Sequence, residues 1–378
     1  MKTYSILYAL VALVVLGCST SEDTSTNLTE TGEETFYAAD YALLMKNNGE
    51  LTVQTLEATK TGFEFSSAES SFENIPVPEL TFREGSTFAF YTKLTACDGQ
   101  VVLHDFNEDG SKTVDVFGDK LDCALEVTSI AFSGGVLFVA YTIEETSKID
   151  RYFVRAIDLA QEENNSTDIA LDKKPVQMAI TNGRLFVLTF DLDITEEYGL
   201  SVIDMASLSV IHEKGLGYDV VNIFTDTRQQ LIISYEELHT ILNSATLGVQ
   251  YVNYGGATAP EFNRVEQNFF DESGRLFYVK PIIADFVGIP AIYDFTNNLG
   301  VLYYYENFLT ATQLGIEYKI GNTTMVSYDV TNDDMIVGYQ KSDDADKGGL
   351  LRIQLEPGPE FLGNIDLNGV PYRFFFQD

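Results

Sequence analysis

From residue 36 onward, apolar and polar positions alternate in short runs separated by Gly, Asn and Asp, and no stretch sustains a helical period. Runs such as VLFVAY (136–141) and LFVLTF (185–190) are branched and aromatic, which predicts strands buried on both faces. One layout of strand, tight turn and strand recurs in SIAFSGGVLFVAYT (129–142), QMAITNGRLFVLTF (177–190), NFFDESGRLFYVKP (268–281) and VSYDVTNDDMIVGY (326–339). LTFREGSTFAFYT (80–92) and NIFTDTRQQLIISY (222–235) follow it more loosely, and YALLMKNNGELTV (41–53) is an earlier copy. Anchored on the second strand, the copies fall near Leu43 and at Thr87, Leu137, Leu185, Leu231, Leu276 and Met335, roughly 45 to 50 residues apart except for a longer last interval. A third strand follows the anchor and ends in Asp plus an apolar residue at Asp105, Asp158, Asp204 and Asp294.

A repeat of this length with four short strands predicts an all-β fold, a β-propeller of about seven four-stranded blades; the spacings also accommodate six or eight, and an irregular pair of sandwiches is the rival. One blade cannot bury both of its faces, so blades stack around an axis and the ring must close. VPYRFFFQ (370–377) is the candidate closing strand, expected beside residues 35–44. The recurring third strand with its Asp-apolar end resembles the YVTN/WD40-like propellers over residues 36–378, without the tryptophan of a full WD signature.

Ahead of the repeats, Lys2 precedes an apolar run from Ile6 to Leu16, short for a membrane span, and Gly17-Cys18 ends it with a small residue before cysteine. This resembles a bacterial lipoprotein signal peptide. The resemblance implies removal of residues 1–17 and acylation of Cys18, the acyl chains (palmitate among them) adding about 0.8 kcal/mol of membrane affinity per buried methylene. Residues 18–35 are polar and acidic and read as a flexible tether. An acidic stretch directly after such a cysteine resembles the surface-export signal of Bacteroidota lipoproteins, which implies a lipid-anchored protein of the outer membrane, displayed at the cell surface.

Charge narrows the partners. The 57 acids and 23 bases give a formal charge of −34, which excludes electrostatic attraction to nucleic acid or to anionic headgroups. The apolar content, 45%, is too high for a disordered chain in spite of that charge. Three histidines and three cysteines leave little for a histidine-rich metal site or a zinc cluster.

If strands are labelled a to d from the axis outward, the b–c and d–a loops open on one face and the a–b and c–d turns on the other. The a–b turns are tight, whereas the b–c loops at 143–150, 191–199, 236–245, 282–288 and 341–349 are long and variable. They carry Glu144, Glu145, Asp191, Asp193, Glu196, Glu197, Glu236, Glu237, Asp285, Asp343, Asp344 and Asp346, a candidate binding face that would attract cations or a basic partner. Solvated loops of an acidic protein are acidic in any case, so the pattern also has a bland reading. Cys97 lies in a b–c turn and Cys123 in the d–a turn that follows, on the same face. They are expected to form a disulfide that constrains the unfolded chain by about 3–4 kcal/mol. Asp105, Asn107, Asp109 and Gly110 match the start of a calcium loop, but Val116 stands where the closing acid belongs, and the same residues make a good hairpin turn. Calcium is the one cofactor suggested; otherwise none is expected.

His104, His212 and His239 fall in different units, none beside a Ser or Cys nucleophile, and the sequence holds no G-x-S-x-G, P-loop or H-E-x-x-H motif. No catalytic residue is assigned. LYYYENF (302–308) reads as a buried strand. The expected function is a non-catalytic binding or scaffold module, an accessory subunit to an envelope protein partner. Alternatives are an enzyme at the propeller mouth, lactonase-like or glycan-active, and a ligand-capture lipoprotein for a TonB-dependent transporter.

Overall fold

The computed structural model describes residues 39–120, 123–144, 150–161, 165–192, 195–255, 259–262, 269–282 and 287–377. The signal peptide, Cys18, the tether, Glu145, Asp193 and Asp285 lie outside the described residues.

The chain opens with β1 (Asp40–Asn47), β2 (Glu50–Thr59), β3 (Gly62–Phe65) and the short β4 (Ile75–Pro76). Six four-stranded antiparallel sheets follow in strict sequence. They are β5 (Thr81–Glu84), β6 (Thr87–Lys93), β7 (Gly99–Asp105) and β8 (Gly110–Asp115), then β9 (Leu125–Ser133), β10 (Val136–Ile143), β11 (Arg151–Asp158) and β12 (Asn165–Leu171). Next come β13 (Lys174–Thr181), β14 (Arg184–Phe190), β15 (Tyr198–Asp204) and β16 (Ser209–Gly217), then β17 (Val220–Thr225), β18 (Gln230–Tyr235), β19 (Leu238–Asn243) and β20 (Val249–Asn253). The last two are β21 (Phe269–Phe270), β22 (Arg275–Ile282), β23 (Val287–Asp294) and β24 (Leu299–Leu302), then β25 (Ile320–Asp329), β26 (Asp334–Lys341), β27 (Gly348–Gln354) and β28 (Glu360–Leu367).

The final strand, β29 (Val370–Gln377), returns to the first sheet, whose order is β29-β1-β2-β3. Gln377 lies opposite Asp40 and Val370 opposite Lys46, with a bulge between Leu44 and Met45. The ring therefore has seven blades and is closed by the C-terminal run anticipated from the sequence. One detail of the repeat differs: β1 and β2 occupy positions b and c rather than a and b, because position a of their blade is filled from the far end of the chain.

Burial explains the sequence pattern. The b strands β10, β14 and β26 are buried along nearly their whole length, because each sheet packs on both faces. The outer strands β8 and β16 are mostly exposed and polar. The core is a series of apolar layers between adjacent blades: Leu137 and Val139 pack toward the second blade, Phe138 and Ala140 toward the fourth. Alternate residues of one strand thus serve two interfaces. The recurring third-strand aspartate caps the turn that follows it. Asp158 Oδ1 accepts from the Ala160 N–H, Asp204 Oδ1 from Ser207 and Asp294 Oδ1 from Thr296.

The seam between the last blade and the first is the most constrained. Tyr41 donates to Asp329 Oδ2 at 2.6 Å, and the buried Arg352 donates from Nε to Asp334 Oδ2 at 2.6 Å and from Nη1 to the Thr59 carbonyl. A Cβ on Gly363 would lie 2.1 Å from the Thr61 carbonyl oxygen, so only glycine lets β28 approach the first blade this closely. The long last interval of the repeat holds a 3₁₀ turn at Tyr305–Asn307 and a π-helical turn at Gln313–Glu317. Residues 302–308 are accordingly not a strand: β24 ends at Leu302, and Tyr305 is tucked in by a hydrogen bond to Thr323 at 2.6 Å.

Candidate binding face and central channel

The b–c and d–a connections gather the sequence-predicted acids, but on shorter loops than expected. Residues 238–243 form β19, so the loop expected at 236–245 reduces to Glu236 and Glu237 between β18 and β19. Tyr198 and Gly199 belong to β15, and Gly348 and Gly349 to β27. Asp191, Asp343 and Asp344 are neutralised locally: Lys173 lies 3.3 Å from Asp191, Lys319 2.5 Å from Asp343 and Lys347 3.1 Å from Asp344. The hydrogen bond from Lys319 holds the Asp343 carboxyl below the usual carboxylate range, and that from Lys347 does the same for Asp344. Glu144, Glu196, Glu197, Glu236, Glu237 and Asp346 form no ion pair with a described lysine or arginine. These six acids are spread over four blades, and among the described residues no three His, Cys, Asp or Glu side chains come together as metal ligands.

Cys97 and Cys123 are joined in a disulfide with Cα atoms 4.1 Å apart, pinning the b–c turn of the second blade to the connection that enters the third. The backbone N–H of Leu125 donates to the Ala96 carbonyl across the same junction.

Two of the residues that match a calcium loop take part in different hydrogen-bond networks. Asp105 accepts from the hydroxyls of Ser86 and Thr87 and from the N–H groups of Asn107 and Glu108. Asp109 turns the other way, accepting from Ser70 and Ser71 in the strap that joins the first two blades. Asp105 and Asp109 thus serve separate networks and do not share a ligand shell. His104 is fully buried between Phe72 and Phe106, its Nδ1 2.8 Å from Ser111 Oγ. Burial lowers its pKa against the opposing pull of Asp109 and Asp105. His239, also fully buried, has Nδ1 2.9 Å from Tyr254 Oη and is pulled down to about 4 by desolvation.

Two cavities open along this architecture. One, of about 910 Å³, is the central channel, lined by residues of all seven innermost strands, from Thr81 of β5 and Gln177 of β13 to Arg373 of β29. The other, of about 1020 Å³, lies over the second blade between Tyr91, Gln100 and Glu126. Val77 to Leu80 border both. The channel carries two arginines that sequence reasoning passed over. Arg373 donates from Nη2 to Thr81 Oγ1 at 2.6 Å. Arg83 donates from Nε to the Gly85 carbonyl at 3.0 Å, with its guanidinium 4.2 Å from the Phe269 ring centroid. Burial, and then the charge of Arg373, pull Arg83 down to about 9, so it remains a cation at neutral pH. The signal was present in TFRE and PYRFFF, each an arginine on an innermost strand, the second of them flanked by aromatic residues.

No family model matches this sequence, and no curated protein is similar to it in sequence. Its fold does have counterparts among solved structures. A hypothetical selenium-binding protein from Sulfolobus tokodaii matches with a TM-score of 0.51 at 8% identity, over 91% of this chain and 94% of that one. A putative 6-phosphogluconolactonase from Bacteroides fragilis matches with 0.50 at 10% identity, over 92% and 99%. Puromycin hydrolase matches with 0.51 at 10% identity, over 85% of this chain and 53% of its own, so this chain spans about half of that protein. This is a seven-bladed β-propeller. Identities this low extend the likeness to the fold and no further, since unrelated chemistries share the same ring. The propeller's own site residues must carry any functional reading.

Proposed function

We propose that this protein is a non-catalytic binding module, held on the outer membrane by acylated Cys18, whose b–c and d–a face meets a protein partner in the cell envelope. One observation carries the reading: the histidines and paired arginines buried within the blades are used in building the ring, the channel's Arg83 standing apart, whereas charge on the open face is left over. His104 and His239 are sealed among aromatic rings, and Arg155 and Arg352 hold carboxylates of their own blades. Outside, Glu196, Glu197, Glu236 and Glu237 stand on neighbouring blades without ion-pair partners, a surface suited to a basic patch. A second reading, capture of a small ligand for a transporter, is favoured by the basic channel.

The test is cross-linking in intact host cells, followed by capture through a C-terminal tag and identification of what co-purifies. A stoichiometric envelope protein is expected, and its recovery should fall when Glu196, Glu197, Glu236 and Glu237 are changed together to Gln. Cys18→Ala should release the protein from the membrane fraction. Recovery of the protein alone, or capture indifferent to the four substitutions, would refute the reading.

A further inference from the structure

The channel holds an imbalance. In a chain with 57 acids and 23 bases, any interior arginine has carboxylates in abundance to choose from. Arg155 and Arg352 follow that expectation, pairing with Asp168 and Asp334. Arg83 does not. It lies half-buried on an innermost strand, touching channel space, and packs on the Gly85 carbonyl at Nε and on the rings of Phe269 and Phe375 at 4.2 and 5.0 Å. Among the described residues no carboxylate pairs with it, and Nη1 and Nη2 make no hydrogen bond.

Further positive charge surrounds it. Thr81 lies two residues before Arg83 on β5, hence on the same side of the strand, and Arg373 bonds to Thr81, which brings a second guanidinium to that side. Lys46, also on the channel lining, sits 4.3 Å from the Tyr372 ring centroid, and the Arg373 guanidinium lies 4.9 Å from the same ring. The two acids among the described residues of the lining do not offset this. Asp226 is committed to its own turn, accepting from the N–H groups of Arg228 and Gln230, and Glu79 is exposed and pairs with neither arginine.

Interior charges are ordinarily paired, because desolvation penalises a lone ion by several kcal/mol. Two guanidiniums held near one another without a carboxylate for Arg83 therefore imply a counter-ion supplied from outside. The planar fork of arginine fits a carboxylate or a phosphate through two parallel N–H donors. Thr128, Ser129 and Thr225 line the same space and offer hydroxyls to the neutral part of such a molecule. The outer acids do not forbid an anion here: at physiological salt their field is screened over about 8 Å, while charges inside the ring are screened much less.

We propose that the central channel binds a small organic oxyanion through the open edge of Arg83, with Arg373 and Lys46 supplying the surrounding positive field. The site neither requires nor excludes a protein partner on the outer face, so it stands or falls apart from the function proposed above.

The experiment is isothermal titration of the purified full-length protein with inorganic phosphate, citrate and glucuronate, with glucose as the neutral control. At least one anion is expected to bind, more weakly as salt is raised, and glucose is expected to give no heat. Tighter binding of phosphate than of the two carboxylates assigns a phosphate ligand, and the reverse order a carboxylate. Arg83→Gln should weaken binding about tenfold or more, the worth of one charge-assisted hydrogen-bond pair. Arg83→Lys should fall between the two, and Arg151→Gln, on the exposed start of β11, should bind as wild type. If Arg83→Gln does not fold, Lys46→Gln at the exposed end of β1 provides the second readout, with an expected weakening of about two- to threefold. No binding of any of the three anions at about 10 mM, or equal binding by wild type and a folded Arg83→Gln, overturns the proposal.

Discussion

Removing the last strand should do more than trim an end. β29 is the innermost strand of the first blade, and its alternate residues enter two different interfaces. Phe374, fully buried, packs on Tyr41 with ring centroids 4.8 Å apart in the layer shared with the seventh blade. Phe375, also fully buried, packs on Phe106 at 4.4 Å in the layer facing the second blade. Truncating either ring to Ala should cost about 3–5 kcal/mol, the usual range for a buried phenylalanine. Deleting Tyr372–Asp378 removes both rings, Arg373 with its bond to Thr81, and most of the ladder to β1. That sum is comparable with the roughly 5–15 kcal/mol by which a domain is stable at all. The expected outcome is a truncated chain without a cooperative urea transition, whereas Phe374→Ala and Phe375→Ala each keep the wild-type slope and shift the midpoint down. Circular dichroism and intrinsic tyrosine fluorescence read both. A truncated protein that melts at the wild-type midpoint would refute β29 as the strand that closes the ring.

Three further outcomes follow from the geometry. Cys97→Ser with Cys123→Ser should lower stability by about 3.5 kcal/mol on the chain-entropy model for the 26-residue separation; unfolding of the variant at the wild-type midpoint would show that the bridge contributes nothing. His239 is buried neutral with its pKa near 4, below its ordinary value, so the unfolded chain binds the extra proton between pH 6.5 and 4 and stability falls as pH drops through that window, by roughly 3 kcal/mol. The difference in unfolding free energy between wild type and His239→Phe should therefore change across that window, and a pH-independent difference would count against it. Arg352→Met alone strands Asp334, already raised in pKa by burial, and should cost about 3–5 kcal/mol, while Arg352→Met with Asp334→Leu should cost less; a double variant worse than the single one would show that the pair is no simple buried ion pair.

Much of the architecture was legible in the chain because a propeller repeats its instructions. A b strand buried on both faces is apolar at most positions, so the anchors at Leu137, Leu185 and Met335 stand out without any alignment. The aspartate at the end of the third strand recurs because the same turn must be capped each time. The closing role of residues 370–377 could be inferred because a ring of faces leaves no free edge. Loop lengths were harder. The alternation in LHTILN is that of a strand, and its polar surroundings made it read as part of a loop until β19 was seen to pair with β18.

By itself, the sequence determined the strand class and the repeat, since local alternation and spacing depend only on which residues must meet water and which must not, while the count of seven among the six to eight blades that the spacing allowed was decided by the sheet order. It also brought Cys97 and Cys123 to adjoining loops, because turn order follows from strand order. The charge at the centre belongs to the tertiary structure. Arg83 and Arg373 are 290 positions apart in the chain, and each alone reads as an ordinary basic residue of a short strand. Only ring closure sets β29 beside β5 and encloses both guanidiniums in one channel. The packing of the second blade against the strap from the first likewise gives Asp109 partners, Ser70 and Ser71, that a local pattern does not show. Long-range juxtaposition of charge leaves no trace in a local pattern, and for that reason the candidate site had to be read from the fold.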